Sequence, residues 1–235
     1  IPDTAKDADG AYYADYTGIM SVGWNADKYG DISSLDDLLD PKFAGTVALN
    51  GKPAEAGAAF NGYLMANQLA GGDINNLQPG LDYFKKLKEA GNLTTVDVTN
   101  GTIDSGQTGV VFDWTYNQAS YKKELKDKGV NWKYKTFPKA QVVSYYNQAI
   151  NKDAPHPAAA RLWEEYLYTA DAQNLWFKGG ANPVLLDSMK EDGTVDQATL
   201  KDAITIEGEP VSYTNDDSTR ITEWLQNNWD KTIGN

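Results

Sequence analysis

The chain has 235 residues, 41% hydrophobic and 23% charged, which is ordinary for a globular protein and excludes a disordered one. Acidic residues outnumber basic ones, 33 to 21, for a net charge of -12; no Lys/Arg cluster gives the basic face that a nucleic-acid binder needs, and the acidity reads as a device for solubility. Absence of cysteine excludes disulfides, thiolate catalysis and Cys-held metals, and the single histidine, His156 between two prolines, removes most triads and His-based zinc sites.

In chain order, residues 16–25 (YTGIMSVGWN) alternate as a strand, interrupted by Gly18 and Gly23. Residues 31–39 begin a helix that Ser33 or Ser34 caps, with Asp36 and Asp37 in its first turn; Asp40-Pro41 ends it. A short buried strand at 45–49 runs through a Gly/Pro turn into a helix at 56–69, rich in small residues and closed by Gly71-Gly72. Leu77, Leu81, Phe84 and Leu87 recur at helical spacing over 79–90. Strands are predicted at 93–98, 109–112, 132–137 and 142–150, with a turn or short helix at 102–105 and a lysine-rich surface helix at 117–128. Helices follow at 158–168, with Leu162, Trp163, Tyr166 and Leu167 on one face, and at 170–177. Gly179 to Pro183 reads as a loop and 187–217 as irregular. A final amphipathic helix covers 219–229. Strands alternating with helices make the chain α/β.

In open α/β sheets, ligands sit beyond the carboxyl ends of strands, where the next helix presents free N–H groups. Asn50, Gly51, Glu55, Ala56 and Gly57 occupy such a turn and suit an anionic group; the alternative is a capped turn with glycine for conformation. Asp113, Trp114 and Tyr116 follow another strand and suit an amine or a flat ring; the alternative is Asp113 as a helix cap with Trp114 in the core. Tyr145, Tyr146 and Asn147 alternate across a strand, so one tyrosine meets the ligand and the other packs. Tyr16, after Tyr12 and Tyr13, and Asn182 are further candidates. The acidic pairs Asp36-Asp37, Glu164-Glu165 and Asp216-Asp217 are adjacent, diverge on a helix and form no catalytic dyad. No catalytic residue, resident metal or cofactor is expected.

With these stretches placed, the chain resembles the extracellular solute-binding proteins of ABC importers, in the group that includes iron, polyamine, thiamine and phosphonate binders. The motifs are SLDDLLDPKFAGTVALN at 34–50, FDW at 112–114, YYNQAINKDAPHP at 145–157, LWEEYLY at 162–168 and GGANP at 179–183. The resemblance implies a periplasmic-binding-protein-like fold of type II: two α/β lobes joined by crossing hinge strands, with a solute held between them and delivered by hinge closure to a membrane permease. Residues 1–27 would end the first lobe and form the first crossover. Residues 28–140 would form the second lobe, 141–150 the return crossover, and 151–235 the remainder of the first lobe with the C-terminal helix. The first lobe is expected to be incomplete, since its opening βα units have no counterpart here. A monomer in the periplasm or extracellular space is implied, lipid-anchored in a full-length form. The iron binders carry adjacent tyrosines where this chain has Asp-Trp-Thr-Tyr, and the polyamine binders carry a carboxylate in the strand at 142–150 that is missing here. The remaining solute classes are a polyamine, an aminophosphonate, a thiamine-like compound or an organic anion, and a zwitterion reconciles the anionic and cationic signals. The competing readings are a small transferase-like enzyme on a similar two-lobed fold and a ligand-independent interaction domain.

Overall fold

The computed structural model describes residues 1–234. Its elements, besides short 3-10 turns, run β1 (Tyr13–Asn25), α1 (Ala26–Tyr29), β2 (Val47–Leu49), α2 (Gly57–Leu69), α3 (Gln78–Glu89), α4 (Asn100–Asp104), β3 (Val110–Trp114), α5 (Thr115–Leu125), β4 (Trp132–Lys135), β5 (Val143–Gln148), α6 (Pro157–Leu167), α7 (Ala170–Lys178), β6 (Asn182–Pro183), α8 (Leu186–Glu191), α9 (Gln197–Asp202) and α10 (Asn215–Thr232). The chain divides into two compact units. The first comprises Ile1–Ile19 and Ser144–Ile206; the second comprises Met20–Val143 and the segment from Glu207 through α10.

The second unit is built on strands in the order β2-β3-β1-β4, with β2 parallel to β3 and the other pairs antiparallel. Gly23 in β1 has a specific use there. A Cβ at this position would lie 2.0 Å from Gln118 Oε1 and 2.8 Å from the Trp132 ring, so the bare backbone makes room for the Gln118 carboxamide. That carboxamide donates to Val111 O (3.0 Å) and accepts from Trp132 Nε1 (2.8 Å), joining α5 to β3 and β4. The main core lies between α2, α3, α10 and the sheet. Phe84 is its hub, with ring centroids 5.3 Å from Trp229, 5.9 Å from Phe112 and 6.0 Å from Tyr63.

The first unit is smaller. Its part of β1 pairs with β6 at Tyr16 and Thr17, and β5 also pairs with β1. Its apolar clusters are modest: Phe177, Leu186, Met189 and Val195 in one, Ala5, Ala14 and Val184 in another. On α6 only Leu167 is buried; Leu162 and Trp163 are 74% and 60% exposed.

Several expectations change. The segment 93–98 forms no strand beyond one parallel bridge, Leu93 to Val47. Asn182 and Pro183 form a short strand rather than a loop, and the stretch from 187 holds α8 and α9. The C-terminal helix belongs with residues 20–143 and not with the unit containing 151–206. The reason is packing: Ile221, Leu225 and Trp229 project at helical spacing into the same core as Tyr63 and Phe84.

The entry into α10 is set by a reciprocal cap, in which Thr214 N donates to Asp217 Oδ2 (3.0 Å) and Asp217 N donates to Thr214 Oγ1 (3.1 Å). Arg220, donating to Asp217 Oδ1 at 2.8 Å, and then the Thr214 groups hold this carboxyl down at about 2. A depressed carboxyl stabilises the fold above its unfolded value near 3.9, and the contribution is lost as pH falls through the folded value. Asp217→Asn is therefore expected to lower Tm at pH 7 and pH 5, with the difference from the parent chain closing only as pH approaches 2. A difference that vanishes already between pH 5 and 4 in thermal melts would contradict this.

Candidate functional site

The site begins with strand direction. Because β2 and β3 are parallel, with Val47 beside Val110 and Leu49 beside Phe112, their carboxyl ends emerge side by side. Thr94 N donates to Val47 O (2.9 Å), so residues 94–97 leave at the same edge. The turn from β2 into α2 is tight. Gly51 has φ +98, and a Cβ there would lie 2.5 Å from Ala56 Cβ. The Glu55 and Ala56 N–H groups both donate to Lys52 O, at 3.0 and 2.9 Å. Small residues let α2 lie close on the sheet: at Gly62 a Cβ would meet Leu49 Cδ2 at 3.0 Å and Phe112 Cβ at 3.3 Å. The N-terminus of α2 is thereby fixed above the strand ends. Its N-cap, Ala56, brings no side chain to its first N–H groups, which have no intrahelical acceptor.

A cavity of 420 Å³ opens at this edge. Leu49, Pro53, Leu93 and Trp229 give it apolar walls; Gly51, Lys52, Glu55 and Ala56 line it from the turn, and Thr94, Thr95 and Asp97 from the neighbouring segment. One cation and two carboxylates therefore share a small cavity with two hydroxyls. Of the residues expected from the sequence, Gly51, Glu55 and Ala56 line it, while Asn50 and Gly57 border the same turn. Lys52 and residues 94–97 were not among those expectations. The signal for the latter was present, since a segment parallel to β2 ends on the same edge.

Asp113 does not meet solvent: it is fully buried, and its carboxylate accepts four hydrogen bonds. Oδ1 accepts from Trp114 N (2.8 Å) and Asn117 Nδ2 (2.9 Å); Oδ2 accepts from Asn50 Nδ2 (2.8 Å) and the Tyr121 hydroxyl (2.9 Å). Burial pushes its carboxyl above the usual range against the pull of these donors. The expected contact of Asp113 with an amine is thus corrected, because its oxygens are enclosed and taken. Trp114 is also buried and stacks on Tyr116 with centroids 6.3 Å apart; Tyr116 is half-buried.

In the first unit, Tyr16 and Tyr146 come together. Tyr16 lies between Tyr146 and Trp176, with centroids at 4.9 and 4.4 Å and near-parallel planes. Tyr146 is 43% exposed. Tyr145, on the other face of β5, packs against the Ala5, Ala14 and Val184 cluster, and Asn147 is exposed. Asn182 is buried and donates through Nδ2 to Ile204 O (3.1 Å). Asp15, beside Tyr16 on β1, is enclosed too, and accepts from Gln173 Nε2 (2.9 Å) and Gln148 Nε2 (3.3 Å). Trp176 was not among the residues expected at a site; it meets Tyr16 only through tertiary packing. Among the described residues no cluster of three or more His, Asp or Glu side chains is arranged to hold a metal ion, and no helix is long and apolar enough to cross a membrane.

The sequence matches the bacterial extracellular solute-binding protein family over residues 1–203. The chain belongs to that family. It is a solute-binding protein of the ABC-transporter type, and its location is periplasmic or extracellular. No curated protein is detectably similar in sequence. Solved solute-binding proteins share its fold. AgtB from A. tumefaciens R10, in complex with agropinic acid, is 16% identical with a TM-score of 0.72, over 100% of this chain and 72% of that one. AfuA from Actinobacillus pleuropneumoniae, with fructose-6-phosphate bound, is 19% identical with a TM-score of 0.68, over 97% and 70%. Iron-bound HitA from Pseudomonas aeruginosa is 20% identical with a TM-score of 0.66, over 97% and 72%. The fold is that of the periplasmic binding proteins, and the shared architecture leaves the solute open.

The geometry of the turn makes a contrast testable. Gly51→Ala forces both a positive φ and a clash, at a cost on the order of 1–3 kcal/mol, which corresponds to a Tm drop of roughly 2–12 °C for a chain this size. Gly57→Ala, where a Cβ meets nothing within 4 Å, is expected to be neutral or slightly stabilising. Thermal melts of the two variants showing equal Tm values would contradict the turn geometry.

Proposed function

We propose that this solute-binding protein captures a small zwitterion of the aminophosphonate kind in the 420 Å³ cavity at the β2–α2 turn and delivers it to the permease of an ABC importer. The observation that carries this is the mixed charge of the cavity wall. Lys52 and the N-terminal N–H groups of α2 favour an anionic head, while Glu55 and Asp97 favour an ammonium group. A simple organic anion would leave Glu55 and Asp97 facing a like charge. The stacked Tyr146, Tyr16 and Trp176 rings support a second reading, a solute with a planar ring such as a thiamine-like compound.

Isothermal titration calorimetry tests the reading directly with 2-aminoethylphosphonate, methylphosphonate, ethanolamine, spermidine and thiamine. The zwitterion is expected to bind at least tenfold more tightly than either half alone, a difference of about 1.4 kcal/mol. Lys52→Ala is expected to weaken it by about ten- to a hundredfold, the range for a hydrogen bond to a charged group. Equal binding of ethanolamine or methylphosphonate, or binding of spermidine alone, would overturn the zwitterion; binding of thiamine alone would move the site to the aromatic ladder.

A further inference from the structure

We infer that Asp113 is a positioning residue for solute capture: its carboxylate touches no solute and instead fixes Asn50, the first residue of the β2–α2 turn, against α5. This rests on the reading that the cavity at that turn takes the solute. A carboxylate offers about four lone-pair sites, and all four directions are filled here, by Trp114 N, Asn117 Nδ2, Asn50 Nδ2 and the Tyr121 hydroxyl. Three of these donors belong to the end of β3 or to α5, which pack as one body. The fourth, Asn50, is the only one from the turn. The main chain of Asp113 is itself anchored, because Ser21 Oγ donates to its carbonyl at 2.6 Å.

The turn has few other ties at this point. Asn50 N reaches Phe112 O at 3.3 Å, and Gly51 N closes back on Leu49 O at 2.9 Å. A charge-assisted bond of 2.8 Å from the Asn50 side chain is therefore the firmest link between the start of the turn and the rest of the unit. It also orients the Asn50 carboxamide, since engaging Nδ2 on Asp113 turns Oδ1 the other way. Packing alone does not call for such a group, because a buried carboxylate is costly unless its lone pairs are satisfied. What the carboxylate supplies is direction, imposed on four donors at once.

The test compares Asp113→Asn, Asn50→Ala and the control Asn117→Ala, all in the full chain. Backbone NMR order parameters are read at residues 51–56, and 2-aminoethylphosphonate affinity is read by calorimetry. Asp113→Asn and Asn50→Ala are each expected to lower the order parameters of the turn from about 0.85 toward 0.6, with β1 and α3 unchanged, and to weaken 2-aminoethylphosphonate at least tenfold. Asn117→Ala removes a donor to the other oxygen and is expected to leave the turn unchanged. The double variant Asp113→Asn/Asn50→Ala is expected to bind no worse than Asp113→Asn alone. Unchanged order parameters at 51–56 in Asn50→Ala, or additive losses in the double variant, would overturn the proposal. Should Asp113→Asn fail to fold, Asn50→Ala and Tyr121→Phe decide it, the latter removing a donor from the same oxygen. Should the parent chain not bind 2-aminoethylphosphonate, the zwitterion reading falls, and the order parameters still decide the role of Asp113.

Discussion

The parallel pairing of β2 with β3 is the constraint from which the candidate site follows. Two strands that run in the same direction and stay in register must release their chains on the same edge, and here they release Asn50 and Asp113 within hydrogen-bonding distance. A parallel bridge adds residues 94–97 to that edge. The helix after β2 can then begin only above the strand ends, and it lies close there because Gly62 removes the side chain that would hold it off. Cavity, turn and helix N-terminus are thus consequences of one strand pairing and one close helix approach.

Each unit encloses one carboxylate on a strand, and each ties it down with carboxamides. Asp113 is held by Asn50 and Asn117, and Asp15 by Gln148 and Gln173. In both cases the neighbour on the strand carries an aromatic ring, Trp114 or Tyr16, and in both burial pushes the carboxyl up. A carboxyl raised in this way contributes stability below the ordinary carboxylate range, and that contribution is lost as pH rises through the folded value. These groups are therefore retained at some cost in the neutral range, which fits a role in setting geometry rather than in adding stability.

Much of this architecture was legible in the sequence. The strand–turn–helix layout around Asn50 could be read because buried strands, glycine turns and small-residue helices each leave a local pattern. The family resemblance was carried by long motifs, and the family match bears it out. What could not be read was which side of a residue faces the solute. Asp113 and Asn182 look alike as polar residues at strand or loop ends, yet both are enclosed, and each has a partner from another part of the chain, Asn50 for Asp113 and Ile204 for Asn182. The alternation rule did separate Tyr145 from Tyr146. It gave no hint of Trp176, which meets Tyr16 only through tertiary packing. The place of α10 was likewise invisible, since an amphipathic helix declares that it packs but not against what.

The solute is proposed to meet the β2–α2 turn and the segment at 94–97. A titration of the isotope-labelled chain with 2-aminoethylphosphonate, followed by amide chemical shifts, locates the contact. Saturable shifts are expected at Gly51, Lys52, Glu55, Ala56, Gly57 and Thr95, with little change across α3. Saturable shifts that leave these residues still and gather elsewhere would contradict it.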